Sequence, residues 1–482
     1  MKAFLQPLQG LAEFEEIWKC CGSNRGVLPV SGCMESQKVH LMYGLSGLFP
    51  FHLVIAEDEK SAKEIYEDYR FYDKNVYFYP AKDLLFFQAD IHGNLLIRQR
   101  MQVVRALMEK DSVTVVTSVD GCMDYLMPLE DIRKRLLHFE NGGIVDLDKL
   151  KKDLVELGYE RTGQVELPGH FSVRGGIIDI YPLTEENPWR IELWDDEIDS
   201  IRSFDAESQR SLENLEEITI YPAAEKTDEK NMVSFPDYFP ENKTIIFLDE
   251  PNHVAENGEA TEEEFRQSRM HREERGETNL PEQWLCGFKD LQKKLNRQNC
   301  VAVSALSPRR GGWKMNREFD LTVKSVNSYN SSFELLVKDL LQYKGQGYKI
   351  ALLSGSRTRA ERLAKDLSEE GLNAFYGQDP DREINPGEIM VVYGHARRGF
   401  EYPLIKFAVM TETDIFGKEQ KKRKKKKKYD GKRIQDFAEL SIGDLVVHEK
   451  HGLGIYRGIE KVEVDRVVKD YIKIEYRGGS NL

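Results

Sequence analysis

The chain has 482 residues, which at roughly 150 residues per domain predicts about three domains. Hydrophobic residues make up 40% of it and charged residues 31%, which is typical of globular proteins and excludes disorder throughout. No apolar stretch approaches the roughly 20 residues that a bilayer span needs, and the first ten residues do not resemble a signal peptide. We therefore expect a cytoplasmic protein with no membrane partner.

Charge is distributed unevenly along the chain. There are 69 basic and 82 acidic residues, giving a net charge of −13. Residues 418–433 alone carry eleven basic and two acidic residues, including the unbroken basic run from Lys421 to Lys428, which leaves −22 on the rest. Like charges repel one another and stay solvated, so this run predicts an exposed tether. Weak contact with DNA phosphates remains an open alternative.

The first part of the sequence alternates strand and helix patterns. Residues 113–118 form a continuous, largely β-branched run, which is typical of a parallel strand that is buried on both faces. Ala62, Ile65, Tyr66 and Tyr69 form a stripe with helical spacing, which predicts a helix that covers the sheet. This pattern predicts α/β architecture with a parallel sheet.

From residue 147 the pattern changes to one helix followed by several short strands. These strands are predicted at residues 171–173, 177–181, 190–194 and 198–204. Glycine, proline and charged turns separate them, so we expect an antiparallel sheet in a smaller α+β domain.

The second half repeats strand and helix patterns before it changes again. Residues 244–249 predict another buried strand, and the charged segment 250–281 predicts an exposed helix or a mobile connection. Residues 320–416 repeat the βαβ pattern. Short glycine-punctuated strands follow the tether and predict a small antiparallel barrel that lacks its closing strand.

One segment stands where a phosphate-binding loop would be expected, between a strand and a helix. Gly32 is followed six residues later by Lys38, but the second glycine of a P-loop is absent. Val39 replaces the hydroxyl residue, and Glu35 adds a negative charge. We expect a degenerate phosphate loop without ATPase activity, and no catalytic residue.

No other segment predicts chemistry. Glu412 and Asp414 follow an apolar run like an acidic magnesium motif, but without a phosphate loop we expect a structural role for both. His448 and His451 fit turn and packing positions better than ligand positions. The six cysteines have no zinc-binding spacing, so we expect no metal and no cofactor in this chain.

A candidate interface lies in the strands of the α+β domain. Arg161, Phe171 and Arg174 lie on or beside short strands, and an aromatic flanked by guanidinium groups is a common interface hot spot. In the alternative interpretation, Arg174 pairs locally with Asp179, Glu192 or Asp196.

The segment around these residues carries a resemblance. Residues 161–182, with Gly175 and Gly176, and residues 190–211, with the turn at 195–197, resemble the UvrA-binding domain of UvrB and of the transcription-repair coupling factor family, Mfd. The resemblance implies that Arg161, Phe171 and Arg174 contact UvrA. Ser172 stands where UvrB relatives often place an arginine, so that contact is not carried over.

Two later segments favour the coupling factors over UvrB. Residues 398–403 with 409–417 resemble the end of the third domain of that family. Residues 443–458 and 471–479 resemble its RNA polymerase-interacting domain, and also the Tudor-like domain of the CarD family. This resemblance implies β-strand pairing with the polymerase β subunit, with Lys473, Glu475 and Arg477 as candidate contacts.

The resemblance implies an α/β multidomain fold. A degenerate RecA/P-loop-like parallel-sheet domain would carry an inserted α+β UvrA-binding domain, followed by a second small α/β domain and a partial Tudor-like barrel. The expected ranges are 1–124 and 223–312 for the UvrB-like domain, 125–222 for the inserted domain, 313–416 for the third domain, 417–438 for a basic helical linker and 439–482 for the polymerase-interacting domain.

From the resemblance we expect the N-terminal part of a coupling factor that recruits UvrA to RNA polymerase stalled at DNA lesions. The ATP- and Mg-dependent DNA translocase of the family, which releases the polymerase, would lie beyond Leu482. We expect a monomer with an unmasked UvrA surface and DNA contacts mainly in that motor. Two alternatives stay open: a UvrB-like damage-binding ATPase or helicase, and a CarD-like transcription regulator.

Overall fold

The structure is a computed structural model that describes residues 1–21, 25–82, 94–225, 231–274, 285–309, 311–379, 382–417, 441–448, 452–464 and 467–475. The chain divides into two compact units. The larger unit comprises residues 1–82, 94–260 and 281–419, and the smaller one comprises 83–93, 261–280 and 420–482.

The N-terminal part alternates helices and strands, as the sequence predicts. Its helices are α1 (Lys2–Leu8), α2 (Ala12–Cys21), α3 (Glu35–Ser46), α4 (Glu59–Tyr72), α5 (Asn94–Glu109) and α6 (Val119–Met123). Its strands are β1 (Gly26–Ser31), β2 (Phe51–Ala56), β3 (Val76–Tyr79) and β4 (Val113–Ser118). Every residue of β4 is buried, and Ala62, Ile65 and Tyr69 form the buried stripe of α4, with Tyr66 partly buried.

The segment predicted to be an inserted domain follows α6, and we keep the names inserted domain and third domain for the predicted segments. Its helices are α7 (Leu129–Lys134) and α8 (Leu147–Glu156). Its strands are β5 (Tyr125–Leu126), β6 (Leu137–Glu140), β7 (Glu160–Arg161), β8 (His170–Arg174), β9 (Ile177–Ile180), β10 (Trp189–Trp194), β11 (Glu197–Phe204), β12 (Ser211–Leu215) and β13 (Glu217–Ile220). The four strands predicted for this region are confirmed within one or two residues.

The chain then returns to the first sheet and continues into a second α/β sheet. The returning elements are β14 (Val233–Ser234), β15 (Thr244–Asp249), α9 (Pro251–Glu274), α10 (Phe288–Leu295) and β16 (Asn299–Val303). The next elements are β17 (Phe319–Asp320), β18 (Lys324–Ser325), α11 (Phe333–Gly345), β19 (Lys349–Ser354), α12 (Arg357–Glu369), β20 (Asn373–Tyr376), β21 (Glu388–Tyr393), β22 (Phe400–Tyr402), β23 (Phe407–Thr411) and α13 (Glu412–Phe416). The last elements are β24 (Leu445–His448), β25 (Gly452–Val464) and β26 (Val467–Glu475).

The largest sheet is parallel and has seven strands, which confirms a mixed α/β fold. Its order is β17-β1-β16-β15-β2-β4-β3. The returning strands β15 and β16 lie between β1 and β2, so the inserted domain leaves this sheet intact. Strand β17, which the sequence places in the third domain, pairs with β1 of this sheet.

The other main sheets are smaller. The inserted domain has the order β12-β11-β10-β9-β8-β7, antiparallel except for the short parallel pair of β7 and β8. The third domain has the order β18-β22-β23-β19-β21-β20, and β24, β25 and β26 form an antiparallel three-stranded sheet.

Helix α3 packs against β22 and β23 of the second α/β sheet through aromatic side chains. His40 of α3 is buried, its Nε2 lies 2.8 Å from the carbonyl oxygen of Phe4, and its Nδ1 lies 3.2 Å from the Tyr402 hydroxyl. The rings of Phe400 and Phe407 lie 5.2 Å and 5.8 Å from the His40 ring. Burial lowers the pKa of His40 to about 4, because the imidazolium would lose its hydration there.

This buried histidine predicts a pH dependence of stability. Its folded-state pKa lies below the ordinary value of 6.5, so the unfolded chain binds the proton more readily between pH 6.5 and 4. The contribution of neutral His40 to the free energy of unfolding is therefore intact above pH 6.5 and is lost as the pH falls. At 1.36 kcal/mol per pH unit, about 2 kcal/mol is lost at pH 5. Urea unfolding at pH 7 and at pH 5 gives the free energy of unfolding at each pH. The difference between these two values should be smaller in His40→Gln than in wild type by that amount.

The matched control is His395→Gln, since His395 is exposed in the third domain. It should keep the wild-type pH dependence. Equal pH dependence in wild type and His40→Gln would contradict this assignment.

Candidate functional site: the outer face of the inserted domain

Strand alternation gives the inserted sheet one apolar and one charged face. Phe171, Ile178, Ile191 and Ile201 lie in its core. The alternate residues are in register on the opposite side of the sheet, which we call the outer face: Ser172, Asp179, Arg190, Arg202 and Asn214. Side chains on alternate positions of a strand point to opposite faces, so this row cannot join the core.

Asp179 organises the outer face. Its carboxylate is 1% exposed and accepts hydrogen bonds from Arg174 Nη2 at 2.7 Å, Arg190 Nε at 2.6 Å and Arg190 Nη2 at 2.9 Å. The Arg190 guanidinium also lies 4.4 Å from the centre of the Phe204 ring. One carboxylate thus holds two guanidinium groups, and the cluster carries a net positive charge.

A second ion pair lies beside this cluster. Arg202 donates to Glu192, and the Ser200 hydroxyl donates to the same carboxyl group at 3.3 Å. The arginines of the outer face are therefore held in fixed positions, which reduces the entropy that they lose on binding a partner.

The predicted interface residues are not equivalent in the structure. The Arg174 side chain is 49% exposed and pairs with Asp179, one of the local partners considered from the sequence. Arg161 is exposed on β7, in register with Phe171. Phe171 is fully buried in the core. This placement corrects the expectation of an exposed ring between guanidinium groups, because strand alternation turns Phe171 inward while Arg174 faces outward.

Two arginines of the outer face were missed by the sequence analysis. Arg190 and Arg202 lie on neighbouring strands and are register partners. Trp189 and Ile191, which flank Arg190, are both buried. This alternation in the sequence predicts that Arg190 faces away from the core, and the turn between β10 and β11 predicts that these two strands pair.

A buried arginine of the first domain holds both connections to the inserted domain. Arg100 Nη1 donates to Asp124 at 2.8 Å, and Arg100 Nε donates to Glu225 at 2.6 Å. Asp124 immediately precedes β5, and Glu225 follows β13. Burial alone would raise the pKa of Glu225, but the charges of Arg100 and Lys82 outweigh it and lower this pKa to about 2.

The segment predicted to be a degenerate phosphate loop makes contacts within the chain. Lys38 Nζ lies 2.7 Å from Asp249 Oδ1 and 2.6 Å from Glu250 Oε1. Gly32 has a φ of +75°, and a Cβ there would lie 2.0 Å from the carbonyl oxygen of Leu321. The sequence analysis missed Asp249, which ends a predicted buried strand, and Glu250, which follows it.

The third domain closes the start of the helix that follows this loop. The Ser36 hydroxyl donates to Asp68 at 2.8 Å and accepts from the Arg398 backbone amide at 3.1 Å. The Arg397 amide donates to the other Asp68 oxygen at 2.9 Å. These contacts, with those of Lys38, favour a structural role for the loop.

The acidic residues after β23 also have structural contacts. Asp414 Oδ2 accepts from the amides of Gly399 and Thr411, at 2.7 Å and 3.0 Å. Glu412 Oε1 accepts from Ser354 Oγ at 2.7 Å. Within the part of the chain that the structure describes, no group of three His, Cys, Asp or Glu residues could hold a metal ion. No described helix is long and apolar enough to cross a membrane.

Two of the three candidate polymerase contacts lie on β26, the last strand of the last sheet. Lys473 is on β26 and is half-buried, and Glu475 is the last residue of that strand. Arg477, His451 and the run from Lys421 to Lys428 lie outside the described residues, as does the side chain of Glu475.

Comparison with known proteins adds two domain matches. Residues 137–225 match the family model of the UvrB interaction domain. Residues 440–482 match that of the CarD-like/TRCF RID domain. The first match contains the whole outer face, and the second contains β24, β25 and β26.

Similarity along most of the chain agrees with these two domain matches. The chain is 29% identical, over 94% of its length, to the transcription-repair-coupling factor of Bacillus subtilis (strain 168), of which it covers 45%. It is 28% identical, over 85% of its length, to the same-named protein of Staphylococcus aureus (strain MRSA252), of which it covers 40%. The chain thus spans less than half of these relatives, and the resemblance predicted from the sequence is confirmed.

The contacts of Arg100 predict a large loss of stability when it is replaced. Arg100→Met would leave the nearly buried carboxylate of Asp124 without its guanidinium partner, which costs about 3–5 kcal/mol. Urea unfolding should show this loss, whereas Arg362→Met, at a side chain that is 84% exposed, should change stability by less than about 0.5 kcal/mol. A loss below about 1 kcal/mol for Arg100→Met would contradict the proposed role.

Proposed function

We propose that this chain, which resembles transcription-repair coupling factors along most of its length, recruits UvrA to RNA polymerase stalled at DNA lesions. The observation that carries the proposal is the outer face, where a half-exposed Arg174 is held on buried Asp179 within the segment that matches a UvrB interaction domain.

The chemistry of Arg174 suits a protein interface. A guanidinium group presents a planar fork of donors that pairs with carboxylates in two parallel hydrogen bonds. Asp179 accepts one hydrogen bond from that group, through Nη2, and about half of the Arg174 side chain is exposed. We infer that Arg174 and Arg161 contact acidic groups of UvrA, while Phe171 acts from the core by fixing the position of β8.

The last sheet suits contact with RNA polymerase. Among the described residues, β26 pairs only with β25, and within that part of the chain its other edge has no partner strand. Backbone pairing at such an edge supplies affinity, and side chains beside it supply selectivity. We propose that the polymerase β subunit pairs there, with Lys473, Glu475 and Arg477 as contacts.

The finer assignments of fold and activity are also proposals. We interpret the seven-stranded sheet as a degenerate P-loop-like domain and the last sheet as part of a Tudor-like barrel. In this chain we assign no nucleotide step to Lys38, whose ammonium group is held by two carboxylates. ATP-driven release of the polymerase, with Mg, would belong to the whole coupling factor.

Charge reversal at Arg174 tests the UvrA proposal. In a calorimetric titration with purified UvrA, Arg174→Glu should bind at least about tenfold more weakly than wild type, because it places a carboxylate where a cation is needed. Arg362→Glu, at an exposed position of the third domain, should bind like wild type.

Circular dichroism should show that Arg174→Glu still folds, since Asp179 keeps its two hydrogen bonds to Arg190. Wild-type affinity in the folded variant would overturn the assigned site. Absence of binding by the wild-type chain would overturn the recruitment function itself.

A further inference from the structure

The largest exposed apolar side chain of the inserted domain is Trp194, which is 81% exposed. It ends β10 and forms the tip of the hairpin with β11, opposite Glu197. Tryptophan is one of the residues enriched at interface hot spots, where its large ring fills a pocket of the partner. An indole left in water on a stable strand therefore marks a candidate contact surface.

The hairpin tip is rigid although the Trp194 ring has little packing. Asp195 takes a left-handed conformation with a φ of 60°, as a tight hairpin turn requires. The Val145 amide donates to the carbonyl oxygen of Asp196 at 2.8 Å, and the Gly142 amide donates to that of Ile198 at 2.8 Å. The backbone of residues 142–145 thus holds the backbone of the tip from one side, next to the strand end that carries the indole.

Trp194 lies on the outer face, at the end where Arg174 lies. The pairing of β10 with β11 is irregular between Glu192 and Leu193, but Leu193 packs against the core of the inserted domain, so Trp194, the next residue, lies on the opposite side of β10. The Leu193 amide donates to the carbonyl oxygen of Gly176 at 2.8 Å, in the turn that follows Arg174. The indole and the Arg174 guanidinium therefore flank the same end of the inserted sheet.

The surroundings of Trp194 define the chemistry of a partner. Asp195, Asp196, Glu197 and Asp199 are all exposed on the same hairpin. Ile144, which bridges to Glu197, adds a second apolar side chain that is 70% exposed. Phosphate groups would be repelled by these carboxylates, whereas a lysine or arginine is attracted both to them and to the face of an indole ring.

We propose that Trp194 is the anchor of the interface with UvrA, seated in an apolar hollow that is rimmed by lysine or arginine side chains of that protein. This inference rests on the proposed recruitment function and adds to it a cation-bearing contact. The partner surface then carries acidic groups opposite Arg174 and basic groups opposite the hairpin. Such alternation of sign fixes the orientation of binding and selects against surfaces of uniform charge.

Substitutions at the hairpin tip test this contact in the same titration with UvrA. Trp194→Ala should weaken binding at least about thirtyfold, and Trp194→Phe by less, because Phe keeps an aromatic face. The matched control is Leu306→Ala, since Leu306 is also 81% exposed but lies outside the inserted domain. It should bind like wild type.

The salt dependence of affinity tests the role of the exposed carboxylates on the hairpin. Asp196→Asn with Glu197→Gln should weaken binding less than Trp194→Ala and should reduce the dependence of affinity on salt concentration, because two screened attractions are removed. If the salt dependence of affinity in this double variant equals that of wild type, the proposal that UvrA carries basic side chains opposite the hairpin is wrong.

The outcomes separate this inference from the function on which it rests. Wild-type affinity of a folded Trp194→Ala, together with weak binding of Arg174→Glu, would overturn the anchor and leave UvrA recruitment supported. Loss of binding in both variants supports both proposals. If the wild-type chain does not bind UvrA, both are overturned.

Discussion

The inserted domain depends on one buried guanidinium group. Arg100 joins the two points where the chain enters and leaves that domain, through Asp124 and Glu225, and its guanidinium lies 4.3 Å from the centre of the Tyr79 ring. A buried charge is stable only when its partners are in place, so neither connection can move away without a large cost in free energy. The outer face is thereby held in a fixed orientation relative to the parallel sheet.

Within the inserted domain, strand alternation decides what is available to a partner. The apolar set that includes Phe171 makes the core, and the charged set around Asp179 makes the outer face. Because the charged side chains already pair with one another, little ordering remains to be done on binding. Arg174 and Trp194 are two side chains of this face that the internal contacts leave at least half exposed, and they differ in the chemistry that they attract.

Local patterns in the sequence predicted much of this architecture. The structure confirms the strand predicted from the β-branched run, which is β4, and the buried stripe predicted for α4. It also confirms the strands predicted around Arg174. The alternation of polar and apolar residues in β8 indicates that Phe171 faces inward, whereas its arginine neighbours in the sequence are equally typical of an exposed hot spot. The pairing of Lys38 with Asp249 joins residues 211 positions apart, and it depends on sheet order, which local patterns do not specify.

The central claim is that UvrA covers the outer face at the end that carries Arg174 and Trp194. Hydroxyl-radical footprinting of the chain, with and without UvrA, tests it directly, because exposed indole rings are oxidised readily. The account predicts that UvrA protects Trp194, while oxidation of the equally exposed Leu306 is unchanged. Equal oxidation of Trp194 in the free chain and in a saturated complex would contradict it.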